Sequence, residues 1–200
     1  MFNSDFTHFK ALDRIWQYLI YSKDYGLIYQ FPSKSIDLLG YSDSDWGGDY
    51  SRKSTTGYLY LLGDLNIKTA ISWNSKLQKT IALSSCEAEY MALKEAIKEN
   101  LYIKSLIKQI LVLNSVINNT KTLYTDSNSA IDLAKNPVHH FRTKHIDIQY
   151  HFIRENYLNK VINLEYCPTE IQLADGLTKA ISTEKYLDFI KELGLKRELF

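Results

Sequence analysis

The hydrophobic pattern of this chain changes once, near Ser84, and that change constrains the fold more than any other feature. Upstream, short apolar runs are separated by turn residues. In GYLYLLGD the apolar and aromatic residues lie between Gly57 and Gly63, as expected of a strand bounded by turns. Downstream, SSCEAEYMALKEAIKENLYIKSLIKQILVL has helical spacing, with Ser84 or Ser85 as its cap and Glu87 close behind. The pattern predicts a meander of three antiparallel strands followed by a long helix.

Strands and helices alternate over the rest of the chain. Strands are predicted at KTLYTD and VINLEYC, and helices at SNSAIDLAKN, HIDIQYHFIRENYLN, TEIQLADGLTKA and roughly 183–193. An amphipathic helix, THFKALDRIWQYLIYSKDYG, precedes the first strand of the meander. Because strands joined by helices run parallel, the sequence predicts an α/β fold with a mixed sheet and additional helices near both ends.

Composition narrows the class of protein. The chain has 200 residues and a net charge of +1, so any binding to nucleic acid must come from a local basic patch. Cys86 and Cys167 lack the spacing of zinc ligands and are expected to be reduced thiols. We find no membrane-length apolar run and no signal peptide, so we expect an intracellular protein that is a piece of something longer.

Acidic residues end two of the predicted strands. Asp43 follows the apolar run before GYSDSDWGGD, and Asp126 ends LYTD. If these strands are parallel neighbours, their carboxylates meet at one edge of the sheet, and a carboxylate cluster without His or Cys suits a hard cation such as Mg²⁺. The alternatives are a turn role for Asp43 and a helix cap for Asp126, and any one acid alone is more often a cap or a surface charge.

Helical spacing selects two further acids. Glu87 and Glu89 differ by about 200° around the long helix, so only one can face the sheet. Glu89 is the one that shares a face with the apolar residues Ala92, Leu93, Ala96 and Ile97. In the last helix before residue 180, Asp175 lies on the stripe formed with Ile171, Ala174 and Thr178. An acid on an apolar face is costly unless it is paired or bound to metal, which favours a functional role for Glu89 and Asp175.

Several polar residues near these acids have competing interpretations. The loop HHFRTKH favours a patch that contacts phosphates, with Arg142 and Lys144 as its best candidates, over a solvated loop. A zinc site built on the histidines at 139, 140 and 145 lacks a fourth ligand at a suitable spacing. Ser44 and Ser127 follow the acids and are candidates for backbone or 2′-hydroxyl hydrogen bonds. Asp45 is either a neighbour that strengthens the negative potential or a solvated residue.

Four stretches together resemble a known family: GYSDSDWGGDYSRKSTTGYLYLLG, ISWNSKLQKTIALSSCEAEYMAL, LYTDSNSAIDLAKNPVHHFRTKHIDIQYHFIRE and QLADGLTK. They are similar to the ribonuclease H domain of copia-type LTR retrotransposon Pol polyproteins. The first stretch of the chain, HFKALDRIWQYLIYSKDYGLIY, resembles the segment that joins the reverse transcriptase of these polyproteins to the ribonuclease H domain. The resemblance implies a helical connector over 1–34, a ribonuclease H-like domain over 35–180 and a C-terminal helical extension over 181–200.

The resemblance also implies a fold and a chemistry. The family sheet is five-stranded with order 3-2-1-4-5, and the family's four acids fall on Asp43, Glu89, Asp126 and Asp175, which would be both catalytic and metal-binding. The implied cofactors are two Mg²⁺ ions, with Mn²⁺ as a possible substitute. The implied reaction is endonucleolytic cleavage of the RNA strand of an RNA–DNA hybrid, with the reverse transcriptase portion of the polyprotein as partner. Unlike many relatives, the loop CPTEIQ has no histidine.

Three other functions remain open from the sequence. The first is a catalytically idle or domesticated retrotransposon fragment that acts only as a nucleic-acid-binding module. The second is another ribonuclease H-like nuclease, such as a transposase, integrase or exonuclease, although the glutamate early in the helix after three strands favours ribonuclease H. The third is a binding module that was never an enzyme, which the net charge of +1 disfavours.

Overall fold

A computed structural model describes residues 5–30, 36–64, 67–110, 122–136 and 144–197, with the side chains of 144–147 excepted. In chain order the elements are α1 Phe6–Ser22, β1 Tyr25–Leu27, β2 Asp37–Asp45, β3 Thr55–Gly63, β4 Lys68–Leu77, α2 Ser85–Gln109, β5 Thr122–Thr125, α3 Asn128–Lys135, α4 Lys144–Leu158, β6 Asn163–Tyr166, a 3₁₀ turn Thr169–Ile171, α5 Asp175–Thr178, α6 Thr183–Glu192 and β7 Leu195–Arg197. None of the helices within these ranges combines the length and apolarity needed to cross a membrane.

The main sheet has five strands in the order β4-β3-β2-β5-β6. Strands β2, β3 and β4 pair antiparallel, whereas β5 lies parallel to both β2 and β6. Numbered within this sheet alone, the order is 3-2-1-4-5, which confirms the predicted ribonuclease H-like mixed sheet. The register Gly40↔Leu123 and Tyr41↔Tyr124 makes the strands that lead to Asp43 and Asp126 direct parallel neighbours, which is the condition under which the sequence analysis expected their carboxylates to meet.

Helices cover both faces of the sheet. On one face, α2, α3 and α4 close a core that includes Leu38, Tyr60, Leu93, Ile97, Leu123 and Ile153. Gly40 allows the ring of Tyr60 to cross β2, because a Cβ at this position would lie 2.6 Å from the Tyr60 Cε1. The Tyr60 hydroxyl then donates to the Ala96 carbonyl at 2.6 Å, which ties the sheet to α2. On the opposite face, Leu59, Leu61 and Ala70 pack against residues of α6 and of the segment around α5.

A second, two-stranded sheet lies outside the main one and was not expected from the sequence. β1 and β7 pair antiparallel, with Tyr25 opposite Arg197, so the predicted N-terminal connector and C-terminal extension are joined. A tight turn precedes β7, where Gly194 has a φ of +77°. The Leu193 carbonyl before this glycine accepts a hydrogen bond from the Ala70 N–H at 2.9 Å, which attaches the turn to β4.

The continuous helix predicted over TEIQLADGLTKA is wrong. The segment forms the 3₁₀ turn and then the short helix α5, separated by an extended Gln172 with φ −72° and ψ 102°. The Gln172 side chain stabilises this break, because its Nε2 donates to the Ser42 carbonyl at 3.0 Å and its Oε1 accepts from the Ala174 N–H at 3.2 Å. Ile171 is consequently 61% exposed rather than part of a buried stripe.

Candidate metal centre

Three aspartates come together at the carboxyl ends of β2 and β5. Asp43, Asp126 and Asp175 each offer one carboxylate oxygen, and these oxygens lie within 4.8 Å of one another. Asp43 comes from β2, Asp126 directly follows β5, and Asp175 begins α5. Carboxylate oxygens in such a group are the ligands preferred by hard divalent cations.

Asp43 is the most enclosed member of the group, at 2% exposure. The Thr178 hydroxyl donates a hydrogen bond to its Oδ2. Burial raises the pKa of the Asp43 carboxyl to about 6, the Thr178 hydrogen bond opposes this rise, and the charges of Asp175 and Asp126 add to it. Ionisation of this carboxyl is therefore more costly than in water, and a nearby positive charge would offset that cost.

Asp175 is also buried, at 4% exposure. Its Oδ1 forms an ion pair with the Lys179 Nζ at 2.9 Å. Its Oδ2 has no hydrogen-bond partner within the residues that the structure describes. A buried carboxylate oxygen without a partner is costly, and a cation bound between the aspartates would satisfy it. The donor set and this orphaned oxygen both fit a divalent metal ion.

Gly57 explains how α5 reaches the centre. This glycine lies opposite Asp43 in the β2–β3 register. A Cβ at Gly57 would lie 2.6 Å from the Thr178 Cγ2 and 3.0 Å from the Ala174 carbonyl oxygen. Any larger residue would force α5 away from the sheet, so the absence of a side chain at this position brings Asp175 to Asp43.

Asp126 is held by the loop that follows β6. The Thr169 hydroxyl donates to the Asp126 Oδ2 at 2.6 Å. The helix cap proposed as the alternative role for Asp126 is supplied by Ser127, whose Oγ accepts from the Ala130 N–H at 3.2 Å. The histidine-free CPTEIQ loop therefore contributes a hydroxyl to the centre.

Glu89 lies beside the three aspartates rather than among them. It is 8% exposed on the apolar face of α2, and its Oε1 accepts hydrogen bonds from the Ser44 N–H at 3.1 Å and the Ser44 hydroxyl at 2.8 Å. Its Oε2 is buried without a partner among the described residues. Burial raises the pKa of the Glu89 carboxyl to about 8, and the charges of Asp43 and Asp126 add to the rise. Glu87, by contrast, accepts from the Leu83 N–H at the exposed start of the helix.

The other site residues suggested by the sequence are not members of the aspartate cluster or lie outside the described residues. Asp45 lies against the turn at Gly48 and is not one of the three clustered aspartates. Arg142 and the histidines at 139 and 140 lie outside the described residues, as do the side chains of Lys144 and His145 at the start of α4.

Sequence reasoning missed four residues that shape the centre: Gly57, Thr169, Thr178 and Lys179. The last two had a detectable signal, because they lie three and four positions after Asp175, where helical neighbours meet.

Comparison with known proteins identifies relatives along most of the chain. It is 41% identical, over 157 residues that make up 78% of the chain, to the retrovirus-related Pol polyprotein from transposon TNT 1-94 of Nicotiana tabacum. It is 36% identical over 94% of its length to the corresponding polyprotein from transposon RE2 of Arabidopsis thaliana. The chain is homologous to copia-type retrotransposon Pol polyproteins. This retrotransposon homologue spans 11% of the first relative and 12% of the second.

No family model matches the retrotransposon homologue. Among solved structures, a ribonuclease H1 isolated from compost has a TM-score of 0.47 at 15% identity, covering 72% of the chain and 93% of that structure. The N-terminal ribonuclease H domain of a Mycobacterium tuberculosis protein has a TM-score of 0.45 at 13% identity, and the match covers 78% of the chain and 98% of that structure. The fold itself is established by the strand order and by the parallel pairing of β2 with β5.

Proposed function

We propose that this chain is a metal-dependent endonuclease that hydrolyses the RNA strand of RNA–DNA hybrids as part of a retrotransposon polyprotein. The observation that carries the proposal is the cluster of Asp43, Asp126 and Asp175, with a buried Asp175 oxygen that has no partner in the described structure. The homology to Pol polyproteins supports the biological setting. The strand order supports the enzyme class.

Asp43, Asp126 and Asp175, with Glu89 beside them, are the residues that would hold Mg²⁺, or Mn²⁺ in its place. A pair of such ions, when bound, supplies an activated water and stabilises the leaving 3′-oxygen, so that the products carry 3′-hydroxyl and 5′-phosphate ends. Asp43 is the most buried of these acids, at 2% exposure, and would hold the metal from the central strand β2.

The protonation of the acids links metal binding to pH. With a pKa of about 8, the Glu89 carboxyl of the metal-free centre retains its proton at neutral pH, whereas Asp43, with a pKa of about 6, retains its proton only in mildly acidic solution. Binding of a cation requires deprotonated carboxylates and therefore releases these protons. Ser44 positions Glu89 through two hydrogen bonds and thereby fixes the carboxylate that gains the most from a nearby cation.

The substrate would be recognised by its helical shape, phosphates and 2′-hydroxyls rather than by base sequence. Arg142 and Lys144 remain proposed phosphate contacts, on the basis of the basic sequence HHFRTKH. The Ser44 hydroxyl donates to Glu89 and keeps acceptor capacity, whereas the Ser127 oxygen accepts from the α3 backbone. We retain both serines as proposed 2′-hydroxyl contacts on that basis.

The experiment is cleavage of a labelled RNA–DNA hybrid by the 200-residue chain with Mg²⁺. Asp43→Asn should reduce the rate on the order of 100-fold or more, because even residues that only support metal ligands cost about 10- to 100-fold when changed. Asp13→Asn, on the exposed face of α1, is the matched control and should cleave normally. Absence of Mg²⁺-dependent cleavage by the unmodified chain would favour an idle nucleic-acid-binding fragment, and equal cleavage of duplex DNA would favour another nuclease class.

We further propose that residues 1–34 connect the 35–180 catalytic domain to a reverse transcriptase portion, and that 181–200 is an extension paired with this connector. The supporting observation is α1, which has no buried residue. Its large apolar side chains are all at least half exposed: Phe6, Phe9, Leu12, Ile15, Trp16, Tyr18, Leu19, Ile20 and Tyr21. Since the relatives are far longer than this chain, the polymerase of the same polyprotein is the proposed occupant of that surface.

Co-purification with the separately expressed polymerase portion tests this contact. Leu12→Lys/Trp16→Lys should abolish co-purification, because each change places a charge in the apolar surface. Asp13→Lys/Gln17→Lys, on the same helix, is the control and should retain it. A self-association of the chain that the first pair of substitutions dissolves, without any binding to the polymerase, would contradict the proposed occupant.

A further inference from the structure

A groove of about 600 Å³ lies between the end of β4 and the outer face of α2, away from the aspartate cluster. Lys76 and Lys79 line one side, and Lys94 and Lys98 line the other. Tyr58 and Asn74 form part of its polar floor. None of these residues belongs to the metal centre, and none was singled out by the sequence for binding.

The groove concentrates positive charge in a chain whose net charge is only +1. It has four lysines and one acidic residue, Glu95. Lys94 and Lys98 share the Glu95 carboxylate at 3.0 and 2.9 Å. Lys76 and Lys79 make no ion pair within the part of the chain that the structure describes. The groove therefore presents uncompensated ammonium groups to solvent.

Gln78, which lines the groove, is hydrogen-bonded to two residues that adjoin Ser44 and Glu89. The Gln78 Nε2 donates to the Thr56 Oγ1 and to the Ala88 carbonyl, both at 3.0 Å. Thr56 lies opposite Ser44 in the β2–β3 register, and Ala88 directly precedes Glu89. One end of the groove thus lies beside Ala88, the residue that precedes Glu89, and the groove extends from there along α2.

The lysines on α2 continue in the same direction. Lys94 and Lys98 are about one turn apart, and Lys98 lies about 14 Å along the helix axis from Glu89 at 1.5 Å per residue. At about 100° per residue Lys94 and Lys98 lie on the opposite side of α2 from Glu89, so an anionic chain at the aspartate cluster would pass around the start of the helix to meet the ammonium groups on both walls. Lysine ammonium groups bind phosphates as point charges and read no base sequence.

We propose that this groove binds the phosphodiester backbone of a substrate strand beyond the point of cleavage. The proposal deepens the proposed function and rests on it for the identity of the substrate. Phosphates that enter the groove would draw Lys94 and Lys98 away from Glu95 and would neutralise Lys76 and Lys79. Binding here would lengthen the footprint on the hybrid without adding sequence preference.

The first test measures binding of a labelled RNA–DNA hybrid to the full chain in EDTA, over a series of salt concentrations. Lys76→Gln/Lys79→Gln and Lys94→Gln/Lys98→Gln alter different elements, so a folding defect in one leaves the other informative. Each should reduce the slope of log affinity against log salt by about one to two units, since each phosphate contact contributes about one. Lys191→Gln/Lys196→Gln removes equal charge from the exposed C-terminal segment and is the control.

The second test uses cleavage with Mg²⁺ and hybrids of two lengths. On a long hybrid, the groove variants should show a raised KM with an unchanged kcat, and on a hybrid too short to reach the groove they should match the unmodified chain.

Slopes and KM values equal to those of the control would overturn the groove proposal while leaving the nuclease intact. If poly-glutamate binds the chain, loses that binding in the groove variants and leaves hybrid binding unchanged, the groove is a site for an acidic peptide and the proposal is overturned. A chain that never cleaves but shows the expected slopes would retain the groove and contradict the proposed function.

Discussion

The Thr178 hydroxyl donates a hydrogen bond to the Asp43 Oδ2 across 135 positions of the sequence. It joins α5 to the central strand β2 at the metal centre. The bond stabilises the ionised form of a buried carboxyl whose pKa is raised to about 6 by burial. Thr178 is therefore a positioning residue for the most enclosed ligand candidate.

Thr178→Val should weaken both the fold and the metal centre. The substitution keeps the volume but removes a buried hydrogen bond to a charged acceptor, which contributes about 1.5–3 kcal/mol. Thermal unfolding should show lower stability at pH 8, and calorimetric titration should show weaker Mg²⁺ binding. Thr183→Val, at an exposed position in α6, is the control. Unchanged Mg²⁺ affinity in Thr178→Val would show that the hydroxyl does not position Asp43.

The metal-free chain should lose stability as pH rises from about 4, near the unfolded-state values, to about 8, the raised value of Glu89. The pKa values of Asp43 and Glu89 are raised by burial to about 6 and about 8, above the ordinary 3.8 and 4.5. Groups with raised folded-state values favour folding below the unfolded value and lose that contribution as pH rises through the folded value. Each unit of difference corresponds to about 1.4 kcal/mol.

Urea unfolding at several pH values measures this effect. The double variant Asp43→Asn/Glu89→Gln should flatten the profile, whereas Asp13→Asn/Glu184→Gln, at exposed positions, should keep it. Saturating Mg²⁺ should restore stability at pH 8, by about 2.7 kcal/mol at 100 times the dissociation constant. A flat profile for the unmodified metal-free chain would contradict the prediction.

Lys179→Gln should lower the stability of the metal-free chain and raise its affinity for Mg²⁺. The Lys179 ammonium lies 2.9 Å from the Asp175 Oδ1, where it partly compensates the acidic cluster and competes with a cation for that oxygen. We expect a lower melting temperature without metal and a tighter apparent Mg²⁺ dissociation constant in the variant. Lys185→Gln on α6 is the control. A weaker Mg²⁺ affinity in Lys179→Gln would mean that the lysine supports the loaded centre instead.

Gly57→Ala should displace α5. The added Cβ would meet the Thr178 Cγ2 at 2.6 Å and the Ala174 carbonyl oxygen at 3.0 Å. Overpacking of this kind costs about 1–3 kcal/mol, and we expect weaker Mg²⁺ binding because Asp175 moves with the helix. Gly26→Ala is a matched control, since a Cβ there meets nothing within 4 Å. Equal melting temperatures and Mg²⁺ affinities for the two variants would rule out the steric role of Gly57.

Local periodicity was sufficient for much of the fold. The mixed sheet followed from the change of period near Ser84, and the burial of Glu89 followed from its helical neighbours, whereas the strand order was implied by the family resemblance. The break at Gln172 and the pairing of β1 with β7 could not be predicted in this way. They depend on contacts with Ser42 and with residues far along the chain, for which a local pattern carries no signal. The same limit applies to the candidate site, where Gly57 matters only because α5 lies above it.

The β1–β7 ladder has a mechanical consequence for a domain tethered within a longer polypeptide. A pull on α1 passes into β1 and β7 together, and then through the Leu193 carbonyl into the Ala70 amide of edge strand β4. β3 lies between that edge and β2, two strands away from Asp43. A second path runs through α6, because Phe189 packs against Gly176, which directly follows Asp175. A load on the two flanks would therefore reach Asp175 before it reached Asp43.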